Sequence, residues 1–179
     1  GDRRGEGTAL GNLGNAHAAL GDPRKAIEYY EQRLVIAREI GDRRGEGNAL
    51  GNLGIAYRVL GEPRKAIEYY EQVLEVFREI GDRRGEGTAL GNLGNAHADL
   101  GEPRKAIEYY EQVLEVFREI GYRRGEGNAL WNMCLDWKDL GEQDKVLPLA
   151  REALAIFEQI EDPDVEMVRQ AIAKWEAEQ

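Results

Sequence analysis

The chain has 179 residues, 42% hydrophobic and 32% charged, with a formal net charge of −10. That balance argues for a folded, highly soluble chain with a sizeable core, and against disorder, a membrane span or a nucleic-acid partner. The single cysteine, Cys134, rules out an internal disulfide and fits a reducing, cytoplasmic setting, and an opening on Gly1 without a leader reads as a piece of something longer.

In chain order, residues 1–40 set the pattern. A first helix is predicted from about Asp2 to Leu20 and a second from Pro23 to Ile40, each about 27 Å long. Between them, Gly21-Asp22-Pro23 combines a glycine past one helix end with an acid and a proline that start the next. The second helix is amphipathic, with Ala26, Ile27, Tyr30, Leu34, Ala37 and Ile40 on one side and Glu28, Glu31, Gln32 and Glu39 on the other. The first carries Gly5, Gly7, Gly11 and Gly14 in its interior, each costing about 1 kcal/mol against alanine. Gly7, Gly11 and Gly14 are expected to form a smooth strip for close helix packing, with Ala26 the natural partner of Gly14. Leu10, Leu13, His17 and Leu20 make the core side.

The same text returns at 41, at 81 and, degraded, at 121. Residues 41–80 and 81–120 match at 35 of 40 positions. Their differences (Asn48/Thr88, Ile55/Asn95, Tyr57/His97, Arg58/Ala98 and Val59/Asp99) all fall in the first helix of the hairpin, and the second helix is identical. In residues 121–160, Trp131 replaces a glycine, Met133-Cys134 replace Leu-Gly, Trp137 takes the His17 position, and Pro148 is expected to bend its helix or delay its start. The tail, 161–179, carries Val165, Val168, Ile172 and Trp175 on one stripe and should cap that end. The organisation is therefore repeat 1 (1–40), repeat 2 (41–80), repeat 3 (81–120), divergent repeat 4 (121–160) and a capping helix (161–179): a single all-α repeat domain of about nine helices. Nothing alternates with a period of two, so no strand is predicted.

The segment Asn12-Leu13-Gly14-Asn15-Ala16-His17, with Leu10 before it and Ala26 and Tyr30 after it, resembles a tetratricopeptide repeat over residues 1–160. No proline closes the second helix, which is longer than usual. The 40-residue unit is similar to those of Pins-type spindle-orientation adaptors, less closely to kinesin light chains, and to sensor arrays on bacterial signalling ATPases. The resemblance implies a right-handed superhelical α-solenoid of stacked antiparallel hairpins, with the first helix of each lining a concave groove that takes peptides or helices of partner proteins.

A helical wheel opposes the core side of the first helix to Arg4, Thr8, Asn12 and Asn15. The corresponding residues are Arg44, Asn48 and Asn52, then Arg84, Thr88, Asn92 and Asn95, then Arg124, Asn128, Trp131 and Asn132. Asparagine can both donate to and accept from a peptide backbone, and arginine offers a planar fork to carboxylates. The expected partner is thus an extended, acidic-leaning peptide or protein segment, with Trp131 as an anchor. The uncovered first hairpin is expected to continue into further repeats or to make head-to-tail or domain-swapped contacts.

Chemistry finds little foothold. His17 and His97 occupy a packing position, Cys134 has no histidine near it in the pattern, and Gly5-Glu6-Gly7 with Gly11 lacks the spacing and the preceding strand of a dinucleotide site. No catalytic residue, metal site or cofactor is expected. Two functions remain: a scaffold that captures a peptide or helix, or a structural spacer or self-assembling array, natural or engineered.

Overall fold

The computed structural model describes residues 1–178. Among them are nine α-helices and no strand: α1 (Arg3–Ala19), α2 (Pro23–Glu39), α3 (Arg43–Val59), α4 (Pro63–Glu79), α5 (Arg83–Asp99), α6 (Pro103–Glu119), α7 (Arg123–Asp139), α8 (Gln143–Gln159) and α9 (Val165–Ala177). α8 starts in the same register as α2, α4 and α6, so Pro148 does not delay it. Pro148 is the sixth residue of α8, so it removes the N–H that would bond to the Asp144 carbonyl, and the helix continues past that lost bond.

Each turn has one recipe. The glycines that follow α1 through α7 all have φ between 67 and 77°, the left-handed value that a Cβ disfavours. In the first, the Asp22 N–H closes back on the His17 carbonyl at 2.9 Å. Asp2, Asp42 and Asp82 accept the N–H of Gly5, Gly45 and Gly85, and Asp22 accepts that of Lys25. Glu62 and Glu102, one methylene longer, make no such cap.

The chain forms two compact units, Gly1–Ala89 and the residues from Leu90 onward, with the boundary inside α5. In the first unit α1, α2, α3 and α4 pack in sequence order, and in the second α6, α7, α8 and α9 do the same. Within each hairpin the glycines act as receptors for aromatic rings: a Cβ at Gly14, Gly54 or Gly94 would collide with Tyr30, Tyr70 or Tyr110. The tyrosine ring, and not Ala26, is therefore the partner of Gly14. Repeat 4 exchanges the two volumes, with Cys134 in place of the glycine and Ala150 in place of the tyrosine, both fully buried. Burial pushes the Cys134 thiol up to about 12, so it is an inert packing group.

The strip of small residues is only partly used. At Gly51 and Gly91 an added Cβ meets nothing closer than Val73 at 3.9 Å and Val113 at 3.8 Å, and at Gly11 it meets the flexible Arg33 side chain. The expected core side also fails in α1. Leu13 is 45% exposed, whereas its counterpart Leu53 in α3 is fully buried, and Leu20 is exposed as well. In α3 that side is covered by α2; among the described residues no preceding helix lies against the same side of α1.

Candidate functional site

The polar face of the first helices is at the surface. Arg4, Thr8, Asn12, Asn15, Arg44, Asn48, Arg84, Thr88, Arg124 and Asn128 are exposed, and Asn52, Asn92, Asn95, Trp131 and Asn132 are half-buried. These residues are not equivalent once their bonds are traced.

The asparagines form short chains within each unit. Tyr30 donates its phenol to Asn15 Oδ1 at 2.9 Å, and Asn52 Nδ2 donates to the same oxygen at 3.4 Å. In the second unit Tyr110 donates to Asn95 at 2.8 Å and Asn132 donates to Asn95 at 3.1 Å. Asn15 and Asn95 thus hold the amides of Asn52 and Asn132 in place, and those two keep an acceptor oxygen and a second N–H for another molecule. The threonines turn inward, Thr8 onto the Arg4 carbonyl and Thr88 onto that of Arg84.

The arginines are engaged differently from the expectation of open forks. Arg44 pairs with Asp82 at 2.9 Å and Arg124 with Asp162 at 3.0 Å. Both acceptors also cap the turns they sit in, Asp82 through the Gly85 N–H and Asp162 through the Asp164 N–H. These pairs staple one repeat to the start of the next element, which neutralises charge that the acidic-ligand reading needs. Trp131 is engaged too: its ring stacks on Trp175 of α9, with centroids 5.6 Å apart.

Repeat 2 departs from its near-twin here. Where repeat 3 has Asn95 and Asp99, repeat 2 presents Ile55 and Val59, 47% and 70% exposed. With Ala18, Pro23 and Asn52 they line an apolar notch of about 80 Å³, the scale of one aliphatic side chain. An exposed isoleucine and valine beside an amide that donates one long hydrogen bond to Asn15 is an arrangement that could take a side chain and its backbone together.

The aromatic position of the first helices is a stacking site. His17, Tyr57 and His97 lie against Tyr29, Tyr69 and Tyr109, with ring centroids 5.3 Å apart in each pair. Lys65 covers Tyr57 at 4.0 Å and Lys145 covers Trp137 at 3.6 Å. Among the described residues no group of histidine, cysteine and acidic side chains could hold a metal ion, and no helix is long and apolar enough to cross a membrane.

Sequence reasoning missed the glutamates of the first helices. Glu46 is buried and receives Arg38 Nε at 2.8 Å and the guanidinium of Arg43; Glu86 does the same with Arg78 and Arg83, and Glu126 with Arg118 and Arg123. Burial pushes the Glu46 and Glu86 carboxyls up, but the two arginine hydrogen bonds outweigh it and hold both below the usual carboxylate value. The signal was an arginine eight residues before each glutamate across a glycine turn, a spacing that ordinary helix periodicity does not flag.

The tetratricopeptide repeat profile matches residues 5–79, 45–119 and 85–159. No curated protein matches the sequence. Among solved structures, the apo form of RapI shares 18% identity over 97% of this chain and 64% of its own, with a TM-score of 0.87. Aspartyl phosphate phosphatase F from Bacillus subtilis shares 16% over 94% of this chain, with a TM-score of 0.88. A putative kinesin light chain of nearly identical TPR-like repeats from Podosopora anserina shares 18% over 94% of this chain and 84% of its own, with a TM-score of 0.77. The chain spans 64% of RapI and 45% of the phosphatase, and at these identities the likeness concerns the fold.

Proposed function

The chain belongs to the tetratricopeptide-repeat family, and from that premise we propose that it is a non-catalytic, cytoplasmic scaffold that binds an extended segment of a partner protein on the polar faces of its first helices. The observation that carries this reading is the notch of repeat 2. Two repeats that share 35 of 40 residues diverge at Ile55 and Val59, beside Asn52, and the divergence creates exposed apolar surface that folding does not need. A ligand would seat one aliphatic side chain in that notch and pair its backbone with Asn52. In the second unit Asn132, held by Asn95, would offer the same backbone pairing. Because Arg44 and Arg124 are paired within the chain, Arg4 is the rung that would favour acidic residues in the ligand.

The test uses the molecule's own second solution. Peptides selected from a displayed random library against the full chain should carry an aliphatic residue, and Ile55→Asn with Val59→Asp, which gives repeat 2 the residues of repeat 3 at those two positions, should abolish their binding while leaving the fold intact. Binding that survives the double substitution would reject the notch. A library that yields no peptide at all would favour a structural spacer.

A further inference from the structure

The repeats do not follow one period. The second helices keep a 40-residue register, with α4 and α6 identical, but the first helices alternate over 80. Residues 83–98 copy residues 3–18 without a change, and depart from the nearer α3. Four positions change in step. Thr8 and Thr88 stand against Asn48 and Asn128, and Asn15 and Asn95 against Ile55 and Leu135. His17 and His97 stand against Tyr57 and Trp137, and Ala18 and Ala98 against Arg58 and Lys138.

The hydrogen bonds follow the same alternation. The odd repeat of each pair supplies the asparagine that holds an amide, Asn15 for Asn52 and Asn95 for Asn132. The even repeat supplies that amide and, three residues on, an exposed aliphatic side chain: Ile55, 47% exposed, and Leu135, 37% exposed. Each set lies wholly inside one compact unit. The recognition element is therefore a pair of repeats, and the chain carries it twice. The two copies differ one helical turn to either side of the aliphatic residue. Gly51 and Val59 flank Ile55, whereas Trp131 and Asp139 flank Leu135. Asp139 is exposed and, among the described residues, pairs with no cation; its neighbour Lys138 lies over the Trp175 ring at 5.7 Å.

We propose that α7 carries a second recognition subsite, built like the notch of repeat 2 but selective for a lysine or arginine side chain of the partner segment. It rests on the reading of that notch as a peptide site. Residues four apart in a helix are separated by about 6 Å along its axis, a span that a lysine or arginine stem covers. The methylenes lie on Leu135 beside the Trp131 ring, and the cation meets the Asp139 carboxylate. The Asn132 amide pairs with the segment's backbone, as Asn52 does in the first unit. A purely aliphatic side chain is rejected, because it strips water from Asp139 and returns no hydrogen bond. At the notch the preference reverses, since Val59 offers a cation no partner. An exposed ion pair contributes little, so this subsite is the weaker of the two and its ligands are outcompeted in a selection against the intact chain.

The experiment repeats the peptide selection with the notch erased by Ile55→Asn and Val59→Asp in the full chain. The peptides recovered should carry lysine or arginine at a fixed place, bind more weakly than those taken by the intact chain, and shift tryptophan emission. Trp131, Trp137 and Trp175 are the three tryptophans of the chain and all belong to the second unit, so their emission reports this subsite and is silent to the notch. Asp139→Asn should weaken these peptides several-fold. Asp139→Val in the chain with its notch intact should admit the aliphatic peptides to the second unit, where they shift an emission that they otherwise leave unchanged. Peptides from the intact chain but none from the erased one overturn the second subsite and leave the notch standing. So do basic peptides that leave the emission unchanged or ignore both Asp139 substitutions. No peptide from either chain overturns the notch and the second subsite together.

Discussion

The first and the last repeats are written from one text and finish differently. α1 leaves a stripe of alanine and leucine in water, with Leu13 and Leu20 exposed. At the other end α9 packs on α8 and buries Val168, Ile172 and Trp175, with Trp175 stacked on Trp131. The contrast teaches that a repeat's letters do not say which of its residues are core. The same leucine is core or surface according to whether a neighbouring helix lies over it, because one hairpin cannot bury both sides of its first helix.

The largest expected effect tests that statement directly. Leu53→Ala removes a fully buried side chain and should cost about 2–5 kcal/mol, whereas Leu13→Ala, the same substitution in the same motif, should cost under about 1 kcal/mol. Chemical denaturation of the two variants measures both. Equal losses would mean that α1 is covered in solution, which would erase the difference between the ends.

A smaller effect separates repeat 4 from repeat 1 by pH. Asp136 stands where the other repeats have Ala16, Ala56 and Ala96, it is buried, and its Oδ2 has no hydrogen-bond partner. Burial, with the Asp139 charge nearby, pushes its carboxyl up to about 6. The sign follows from linkage. Between its ordinary value and about pH 6 the unfolded chain loses the proton while the folded chain keeps it, so this residue's contribution to stability falls as pH rises through that window. Asp136→Ala should therefore stabilise the protein at pH 7 by about 2–3 kcal/mol more than at pH 4. A gain independent of pH would show that Asp136 is solvated or paired when folded.

Much of the fold was legible because its determinants are local. The glycine turns, the aspartate caps and the amphipathic second helices each act within a few residues, and their repetition every 40 residues reports on the next element by copying. The polar face was legible as a set of surface positions on one side of each helix. Its bonds were not. Arg44 reaches Asp82, 38 residues on, and Asn52 reaches Asn15, 37 residues back, and neither distance is implied by helical periodicity. The exchange of volumes in repeat 4 was not legible from either change alone, since Cys134 for glycine makes sense only beside Ala150 for tyrosine, 16 residues away in sequence.

The smallest effect concerns the glycine level that repeat 4 fills with Trp131. A tryptophan is tolerated there because the position opens toward α9, where its ring finds Trp175. Gly51 has the same freedom without the same partner: the nearest atom to a Cβ there would be Val73 at 3.9 Å, ordinary contact. An interior helical glycine that receives nothing carries its full conformational cost, so Gly51→Ala should stabilise by about 1 kcal/mol. Three residues on, Gly54→Ala should destabilise, because the Tyr70 ring occupies the space. Thermal denaturation of the two variants reads opposite shifts in Tm from one helix. Opposite shifts would show that glycines three apart in one helix serve unlike purposes, one receiving a ring and the other leaving room on the surface that repeat 4 alone has filled.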